Sequence, residues 1–127
     1  MKLESTALKG KNILKLKPLV KNNVLQTTPL LQEIFENRNK HAKRDLAYSA
    51  HVYLANGLAQ LAIQQAEDNN VKTVGFSGGV ACNEILSRNI RKNVEAVNIH
   101  FLTHGTIPPG DGGLSFGQAV ASGFFKL

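Results

Sequence analysis

The strongest constraint on the fold is a long amphipathic segment that is followed directly by a short apolar run and a glycine pair. One apolar stripe at three- and four-residue steps predicts a helix over residues 45–68. The stripe consists of Leu46, Ala47, Ala50, Leu54, Leu58, Leu61 and Ala62. Residues 71–76 then predict a buried strand that leads into Ser77-Gly78-Gly79. A helix, a strand and a glycine turn in this order indicate an α/β layered arrangement.

The remaining segments alternate in the same way. Thr28-Pro29 places a capping residue before a proline at the first helical position, which predicts a short helix ending at Asn37. Three later ranges predict a helix, a second strand and a final helix: residues 82–92, 97–102 and 111–125. We therefore expect 127 residues to form one domain, in which residues 29–127 are the α/β lobe.

The N-terminal segment differs from the rest of the chain in its charge. The sequence has 15 basic and 9 acidic residues. Six of the basic residues fall in the first 21 positions: Lys2, Lys9, Lys11, Lys15, Lys17 and Lys21. Apolar and basic residues alternate over residues 12–17, as in a strand, until Pro18 interrupts the pattern. Residues 1–28 are therefore expected to be a basic extended arm or edge strand. No aromatic residue is interleaved with the lysines to stack on bases, so nucleic acid is the less favoured partner.

Composition narrows the class of protein further. A hydrophobic content of 43% fits one globular core. No apolar run approaches the roughly 20 residues that span a bilayer, and the N-terminus has no apolar stretch like a secretion signal. The single cysteine, Cys82, cannot form an internal disulfide, in agreement with a reducing compartment. We expect a cytoplasmic protein that does not associate with membranes.

The first motif with chemical content is the run 77–83, Ser-Gly-Gly-Val-Ala-Cys-Asn, between the predicted strand and helix. Two glycines allow backbone angles closed to other residues and leave room for a ligand against the main chain. The start of the following helix offers free amides and favours anions. A nucleotide fits this geometry, although the run is neither a Walker motif nor a dinucleotide fingerprint. A tight turn without a ligand remains the alternative.

The second motif is the run 102–113, which ends with Pro108-Pro109-Gly110-Asp111-Gly112-Gly113 before the final helix. The prolines stiffen the approach, and the two glycines clear space around the Asp111 carboxylate. Asp111 could then ligate a metal or orient phosphate-bound Mg²⁺. Capping of the final helix by Asp111 is the alternative, because aspartate is a favoured N-cap residue.

Together the two motifs resemble the C-terminal part of the HypF-type carbamoyltransferases. Sequences of that family carry a Ser-Gly-Gly-Val-x-x-Asn turn, matched here by residues 77–83. They also carry a Pro-Pro-x-Asp-Gly-Gly-x-x-x-Gly-Gln run, matched by residues 108–118. Two motifs in the right order are more specific than either alone. The resemblance extends from about residue 45 onward and includes, more weakly, the helix that carries His51.

The resemblance implies one lobe of the two-lobed, actin-like (ribonuclease-H-like) ATPase fold, with a mixed sheet packed by helices. It implies ATP or carbamoyl adenylate as the bound nucleotide. The residues carried over as nucleotide contacts are Ser77, Gly78, Gly79, Val80, Asn83, Gly112 and Gly113. Asp111 is carried over as a ligand of a divalent metal, which could be zinc, iron or magnesium.

The reaction implied by the family is transfer of a carbamoyl group from carbamoyl adenylate to the C-terminal cysteine of a partner maturation protein. That step belongs to the maturation of nickel–iron hydrogenase. A lobe without the opposite face of its cleft cannot exclude water from a transfer site, so we expect no turnover by this chain alone. A separately encoded N-terminal lobe or a homodimer partner would complete it.

Related enzymes take two further metal ligands from a His-x-x-x-His pair in the other lobe. His100 and His104 have that spacing, but on an extended strand they would lie about 13 Å apart, too far for one metal. We expect both to be structural or exposed. Two other functions stay open: a basic module that binds RNA or a protein without catalysis, and a protein that dimerises through the face the missing lobe would cover.

Overall fold

One 26-residue helix, Lys43–Asp68, organises the fold and confirms the long helix predicted over residues 45–68. The computed structural model describes residues 2–124. Along these residues the elements are α1 (Lys2–Ala7), β1 (Leu19–Lys21), β2 (Val24–Gln26), α2 (Thr28–Asn37), α3 (Lys43–Asp68), β3 (Thr73–Phe76), a 3-10 turn (Gly79–Cys82), α4 (Glu84–Glu95), β4 (His100–Thr103) and α5 (Asp111–Phe124). Helix α3 contacts α1, α2, α4 and all three of β1, β2 and β3. The other elements are therefore assembled around it.

The buried surface of α3 differs from the predicted apolar stripe. Residues 46–55 of the helix are buried or half-buried on all sides, whereas Leu58, which the stripe places in the core, is 39% exposed. The buried residues that α3 contributes to the core shared with α4 are Ala55, Ala59 and Ala66. Small side chains let two helices approach closely, and the side chains at the contact set the distance between helix axes. The position of α4, rather than the leucine spacing, decides which face of α3 is covered.

Strands β3 and β4 form a parallel pair connected through α4, and they carry both motifs at one end. The register pairs Val74 with Phe101 and Phe76 with Thr103. Phe101 is 2% exposed, but its neighbour Leu102 is 49% exposed. The prediction of a buried β3 was wrong, because exposed and half-buried residues alternate along it. Parallel sheets are normally covered on both faces, and here the described residues cover one.

The N-terminal segment is folded rather than an extended arm. Helix α1 occupies its start, and no strand forms over residues 12–17, where one was predicted. The strands begin after Pro18 and form a two-stranded antiparallel hairpin. Its turn is Asn22-Asn23, with φ angles of 51° and 60°. Asparagine tolerates this left-handed region and suits a two-residue hairpin turn, which accounts for the position of the strands.

The Tyr53 side chain of α3 holds the hairpin in place. Its hydroxyl accepts a hydrogen bond from Leu19 N at 3.1 Å and donates one to Gln26 O at 2.6 Å. We expect Tyr53→Phe to lower the free energy of unfolding by about 1–2 kcal/mol, because both backbone groups lose their partner. Urea unfolding would measure it. Tyr48→Phe is the matched control, since the Tyr48 hydroxyl makes no hydrogen bond to the described residues. An equal loss of stability in the two variants would show that the Tyr53 hydroxyl does not hold the hairpin in place.

The α/β class is confirmed, although the strands form two separate two-stranded sheets among residues 2–124 instead of one mixed sheet. Helix α2 begins at Thr28, one residue earlier than predicted, because its N-cap is Thr27 rather than Thr28. Strand β4 starts three residues late, after a turn in which Asn98 has φ of 59°. The last residue predicted for α5, position 125, lies outside the described residues. No helix within residues 2–124 has the length and apolar character required to cross a membrane.

Candidate functional site

The carboxyl ends of β3 and β4 bring the two sequence motifs together. Ser77 directly follows β3, and His104 directly follows β4. Because Phe76 pairs with Thr103, these two residues stand side by side beyond the sheet. Ser77 Oγ lies 2.7 Å from His104 Nε2, within hydrogen-bond distance, and both side chains are exposed. Ligands of α/β sheets bind at this end of the strands, so the edge is the candidate site.

The glycine turn presents its main chain to open space. Gly78 has φ of 91° and ψ of 175°, a conformation that is essentially restricted to glycine. A Cβ atom placed on Gly78 or Gly79 would meet no atom within 4 Å. Val80 is 50% exposed on the same turn. Four of the predicted nucleotide contacts, Ser77 through Val80, therefore lie next to one another on an accessible backbone.

Asn83 lies behind the turn rather than on its open side. It is 1% exposed, and its Oδ1 accepts a hydrogen bond from Leu86 N at 3.0 Å, which makes it the N-cap of α4. Its Nδ2 donates to His51 Nε2 at 3.0 Å. The two polar groups of the side chain are thus engaged within the chain. The direct nucleotide contact predicted for Asn83 stays a prediction.

His51 is buried beneath the turn, and its contacts define its tautomer. The ring is 3% exposed, and Nδ1 lies 2.8 Å from Ala47 O. A carbonyl oxygen can only accept, so Nδ1 carries the hydrogen. Nε2 is then the acceptor that Asn83 Nδ2 requires. A single hydrogen-bonded chain therefore runs from α3 to the start of α4.

A groove of ≈ 450 Å³ opens beside the turn, and its walls include Cys82 of the turn, His104 and two arginines of α4. Arg88 pairs with Glu84 at 2.7 Å, and Arg91 pairs with Glu95 at 3.1 Å. These carboxylates leave guanidinium hydrogens free, because each arginine has five donors. The groove therefore offers positively charged donors next to the open glycine backbone, which favours an anionic ligand.

The Arg91 side chain makes more contacts within the chain than the Arg88 side chain does. Besides the carboxylate of Glu95, it donates to Thr103 Oγ1 at 3.1 Å, and its guanidinium lies 5.2 Å from the centre of the Phe101 ring. These contacts join α4 to β4 across the groove. Exposed ion pairs alone contribute little stability, so the contacts with Thr103 and Phe101 are what orient this charge.

The second motif begins α5 with a close approach of backbone to backbone. The carbonyl of Gly110 accepts from Gly113 N at 2.9 Å and from Leu114 N at 3.4 Å. Gly110 is therefore the N-cap, and the alternative that Asp111 caps the helix was wrong by one residue. A Cβ atom on Gly113 would collide with the carbonyl oxygen of Pro108, which explains a glycine there. Asp111 is exposed in the first turn.

A metal site is not complete within residues 2–124. No group of three or more histidine, cysteine, aspartate or glutamate side chains in this part of the chain could hold an ion. Zinc is almost always held by four ligands in structural sites and by three protein ligands in catalytic ones, so Asp111 alone does not fit a metal. Further ligands would have to come from outside the described residues.

Four members of this site were not predicted as functional: His51, His104, Arg88 and Arg91. His51 lies 32 residues before its partner Asn83, and His104 was expected to be structural or exposed. His104 is exposed, but it is also within hydrogen-bond distance of Ser77. The contact between Ser77 and His104 could have been predicted from their positions, since each directly follows one strand of a parallel pair. Arg88 and Arg91 belong to no motif and gave no such signal.

A glycine turn at the carboxyl ends of two parallel strands, next to an Asp-Gly-Gly loop that begins a helix, defines a lobe of the Kae1-like class. The family model described as "Carbamoyltransferase, Kae1-like Domain, second subdomain" matches residues 1–118. The chain belongs to this family of HypF carbamoyltransferase subdomains. The match includes the N-terminal segment, which the two motifs alone do not reach.

Similar proteins agree with this assignment. The probable carbamoyltransferase HypF of Methanocaldococcus jannaschii is 37% identical over 122 residues, covering 95% of this chain and 16% of that protein. The crystal structure of T. kodakarensis HypF is 43% identical, with a TM-score of 0.83, and the match covers 96% of this chain and 16% of that one. A full-length HypF in a phosphate- and nucleotide-bound form has a TM-score of 0.78 at 24% identity, covering 94% of this chain and 16% of that one.

These matches confirm a single lobe of the actin-like, ribonuclease-H-like fold. The chain spans about a sixth of the length of the HypF proteins that it matches, at 16% in each of the three.

Proposed function

We propose that this chain contributes the nucleotide half of a carbamoyltransferase site, with ATP or carbamoyl adenylate as the ligand, in the maturation of nickel–iron hydrogenase. The observation that carries the proposal is the open main chain of Gly78 and Gly79 at the carboxyl end of β3. The groove beside it adds the free guanidinium donors of Arg88 and Arg91, which can bind phosphate oxygens. A similar HypF structure was determined in a phosphate- and nucleotide-bound form, which supports a nucleotide as the ligand.

The side chains of the site suit binding and orientation of such a ligand. Gly78 and Gly79 let phosphate or ribose approach the backbone without steric hindrance. The guanidiniums of Arg88 and Arg91 offset the charge of the adenylate and draw it to the groove. The carbamoyl group would then be held for attack by the thiolate of the acceptor cysteine, with the adenylate leaving as AMP. No described side chain is required to change its covalent state.

The complementary half of the site comes from another lobe. Residues 111–123 of α5 include no buried side chain, and Leu114 and Phe116 are 67% and 51% exposed. The uncovered face of the parallel pair exposes Leu102 as well. Apolar surface of this kind indicates a contact surface for further protein. We infer that a lobe of the same polypeptide, a separately encoded lobe or a second copy covers it, and that no carbamoyl transfer occurs without it.

Asp111 is proposed to donate one ligand to a divalent metal whose other ligands lie in the complementary lobe. Its exposed position in the first turn of α5 leaves the carboxylate accessible. We also expect the reaction in the cytoplasm, where an acceptor cysteine stays reduced.

Calorimetric titration of the chain with ATP tests the nucleotide site. We expect Gly78→Ala to weaken ATP binding by about tenfold or more, because alanine at this φ and ψ costs about 1–3 kcal/mol and reshapes the turn. Gly123→Ala is the control, since a Cβ atom there meets nothing within 4 Å. Absence of ATP binding by the wild-type chain would contradict the nucleotide site, and unchanged affinity in Gly78→Ala would show that the turn is not the contact.

The same titration with Mg²⁺ or Zn²⁺ added examines Asp111. If Asp111 ligates a metal, Asp111→Asn abolishes any gain in ATP affinity that the metal produces in the wild-type chain. A gain that persists unchanged in Asp111→Asn would remove Asp111 from the metal site. Its affinity for ATP without metal should match that of the wild type.

A further inference from the structure

The Ser77–Asn83 turn is contacted at each end by a histidine. At its first residue, Ser77 Oγ lies 2.7 Å from His104 Nε2. At its last residue, Asn83 Nδ2 donates to His51 Nε2 at 3.0 Å. The two histidines come from different elements, His51 from α3 and His104 from the residue after β4. The turn is thereby joined to the central helix and to the neighbouring strand.

Few other contacts hold the turn between these two ends. Gly78 and Gly79 have no side chain, and the Val80 side chain is half exposed. Within the turn, Ala81 N donates to Gly78 O at 2.9 Å, and Ser87 Oγ donates to Ala81 O at 3.1 Å. Glycine has more conformational freedom than any other residue, so two adjacent glycines leave this segment weakly constrained. Its shape in the absence of a ligand therefore depends on what fixes its ends.

The buried end is specified by a complete set of hydrogen bonds. Ala47 O, His51 and Asn83 each occupy a defined donor or acceptor role, and no buried side-chain nitrogen or oxygen of the described residues lacks a partner. A satisfied buried network rigidifies its surroundings, because any rearrangement leaves a polar group without water or partner. The exposed end, Ser77 with His104, lies where a ligand would be bound.

We propose that His51 and His104 are positioning residues of the glycine turn, which fix its two ends so that the Gly78–Gly79 backbone is preorganised for its ligand. This rests on the proposed function for the identity of that ligand, a nucleotide. Neither histidine needs to touch the nucleotide in this role. Preorganisation raises affinity because the ordering of the turn does not have to accompany binding.

A matched pair of substitutions separates the role of His51 in the helix from its contact with the turn. In His51→Asn the amide stands at the place of Nδ1 and can still donate to Ala47 O, but it cannot reach Asn83. In His51→Gln the longer side chain places a carbonyl at the position of Nε2, where it can accept from Asn83 Nδ2. Rescue by glutamine but not by asparagine identifies the contact with Asn83 as the one that matters.

The exposed end allows the same comparison without risk to the core. His104→Gln keeps a polar group opposite Ser77 Oγ, whereas His104→Ala removes it. His100→Ala is the control, because His100 is also an exposed histidine of the same region and makes no side-chain hydrogen bond to the described residues. The stability of all three variants should stay close to that of the wild type, since exposed substitutions rarely change it much.

Hydrogen exchange of the turn amides, measured without nucleotide, tests the positioning directly. Ala81 N and Asn83 N are hydrogen-bonded within the turn. We expect both amides to exchange about fivefold to tenfold faster in His51→Asn and His104→Ala, the effect of losing one ordinary hydrogen bond, and to stay within about twofold of wild type in the glutamine variants. Exchange at the wild-type rate in His51→Asn and His104→Ala would overturn the proposal.

Titration of the same variants with ATP connects the turn to its ligand. We expect the affinity of His51→Asn and His104→Ala to fall by about fivefold, in step with the faster exchange, with rescue by glutamine. Faster exchange with unchanged ATP affinity would overturn the link between positioning and binding. If the wild-type chain binds no ATP, the proposed function fails, whereas the exchange rates still decide whether the histidines fix the turn.

Discussion

Replacing Phe101 by alanine is expected to lower the free energy of unfolding by about 3–5 kcal/mol, the range for truncating a buried aromatic residue. Phe101 is 2% exposed and is among the largest fully buried side chains in the described residues. Its ring centre lies 6.4 Å from that of Phe76 on the paired strand. It also lies under the guanidinium of Arg91. Truncation therefore removes part of the packing of α4 against the sheet and leaves a cavity there.

Leu102→Ala is the matched control for this prediction. Leu102 is the next residue on β4, but it is 49% exposed on the face that no described residue covers. We expect its truncation to change the free energy of unfolding by no more than about 0.5 kcal/mol, as for other surface substitutions. Urea unfolding followed by circular dichroism would measure both variants. A similar loss for the two would mean that the covered face of β4 is not the core of the lobe.

The core that contains Phe101 also positions the candidate site. Arg91 reaches Thr103 across this ring, and the next residue after Thr103 is His104. A cavity at Phe101 would therefore loosen the end of β4 together with the groove. We expect Phe101→Ala to weaken ATP binding as well, although the Phe101 side chain is buried and does not itself contact the ligand. The packing of the core and the binding of the nucleotide are therefore coupled through the carboxyl end of β4.

The sequence predicted those features whose cause is local. Apolar spacing over two dozen residues is sufficient to define α3, because periodicity at this length cannot be satisfied by a strand. The glycine turn was likewise predictable, since Gly78 occupies a backbone conformation that other residues avoid. The Asp111 loop was recognised from its motif, and Gly113 is explained by its contact with Pro108 O.

Features that depend on a partner distant in sequence were not predicted. The buried residues that α3 contributes to its core with α4 are alanines. The close approach of α4, rather than the hydrophobicity of the side chains, decides which face of α3 is buried. The hairpin was missed because Asn22-Asn23 was not recognised as a turn signal. His51 contacts Asn83 only because α4 packs on α3. The spacing of the two residues along the chain does not predict this contact. The buried half of the site is therefore a product of tertiary packing.

Asn83→Ala is expected to lower the free energy of unfolding by about 2–4 kcal/mol, because one substitution removes two interactions. Loss of the N-cap of α4 costs about 0.5–2 kcal/mol. The Nε2 atom of His51 is left buried without a donor, at a further cost of about 1–3 kcal/mol. Asn89→Ala is the control, since Asn89 is only half-buried and its side chain bonds within the same helix, to Ile85 O.

Urea unfolding and the exchange rate of the turn amides should both change in Asn83→Ala and stay near wild type in Asn89→Ala. Asn83→Ser refines the result, because serine keeps a capping oxygen but is too short to reach His51. We expect it to recover the capping share of the stability and not the protection of the turn. If Asn83→Ser instead restored both, Asn83 would act only as a helix cap, and the contact with His51 would not contribute to the shape of the turn.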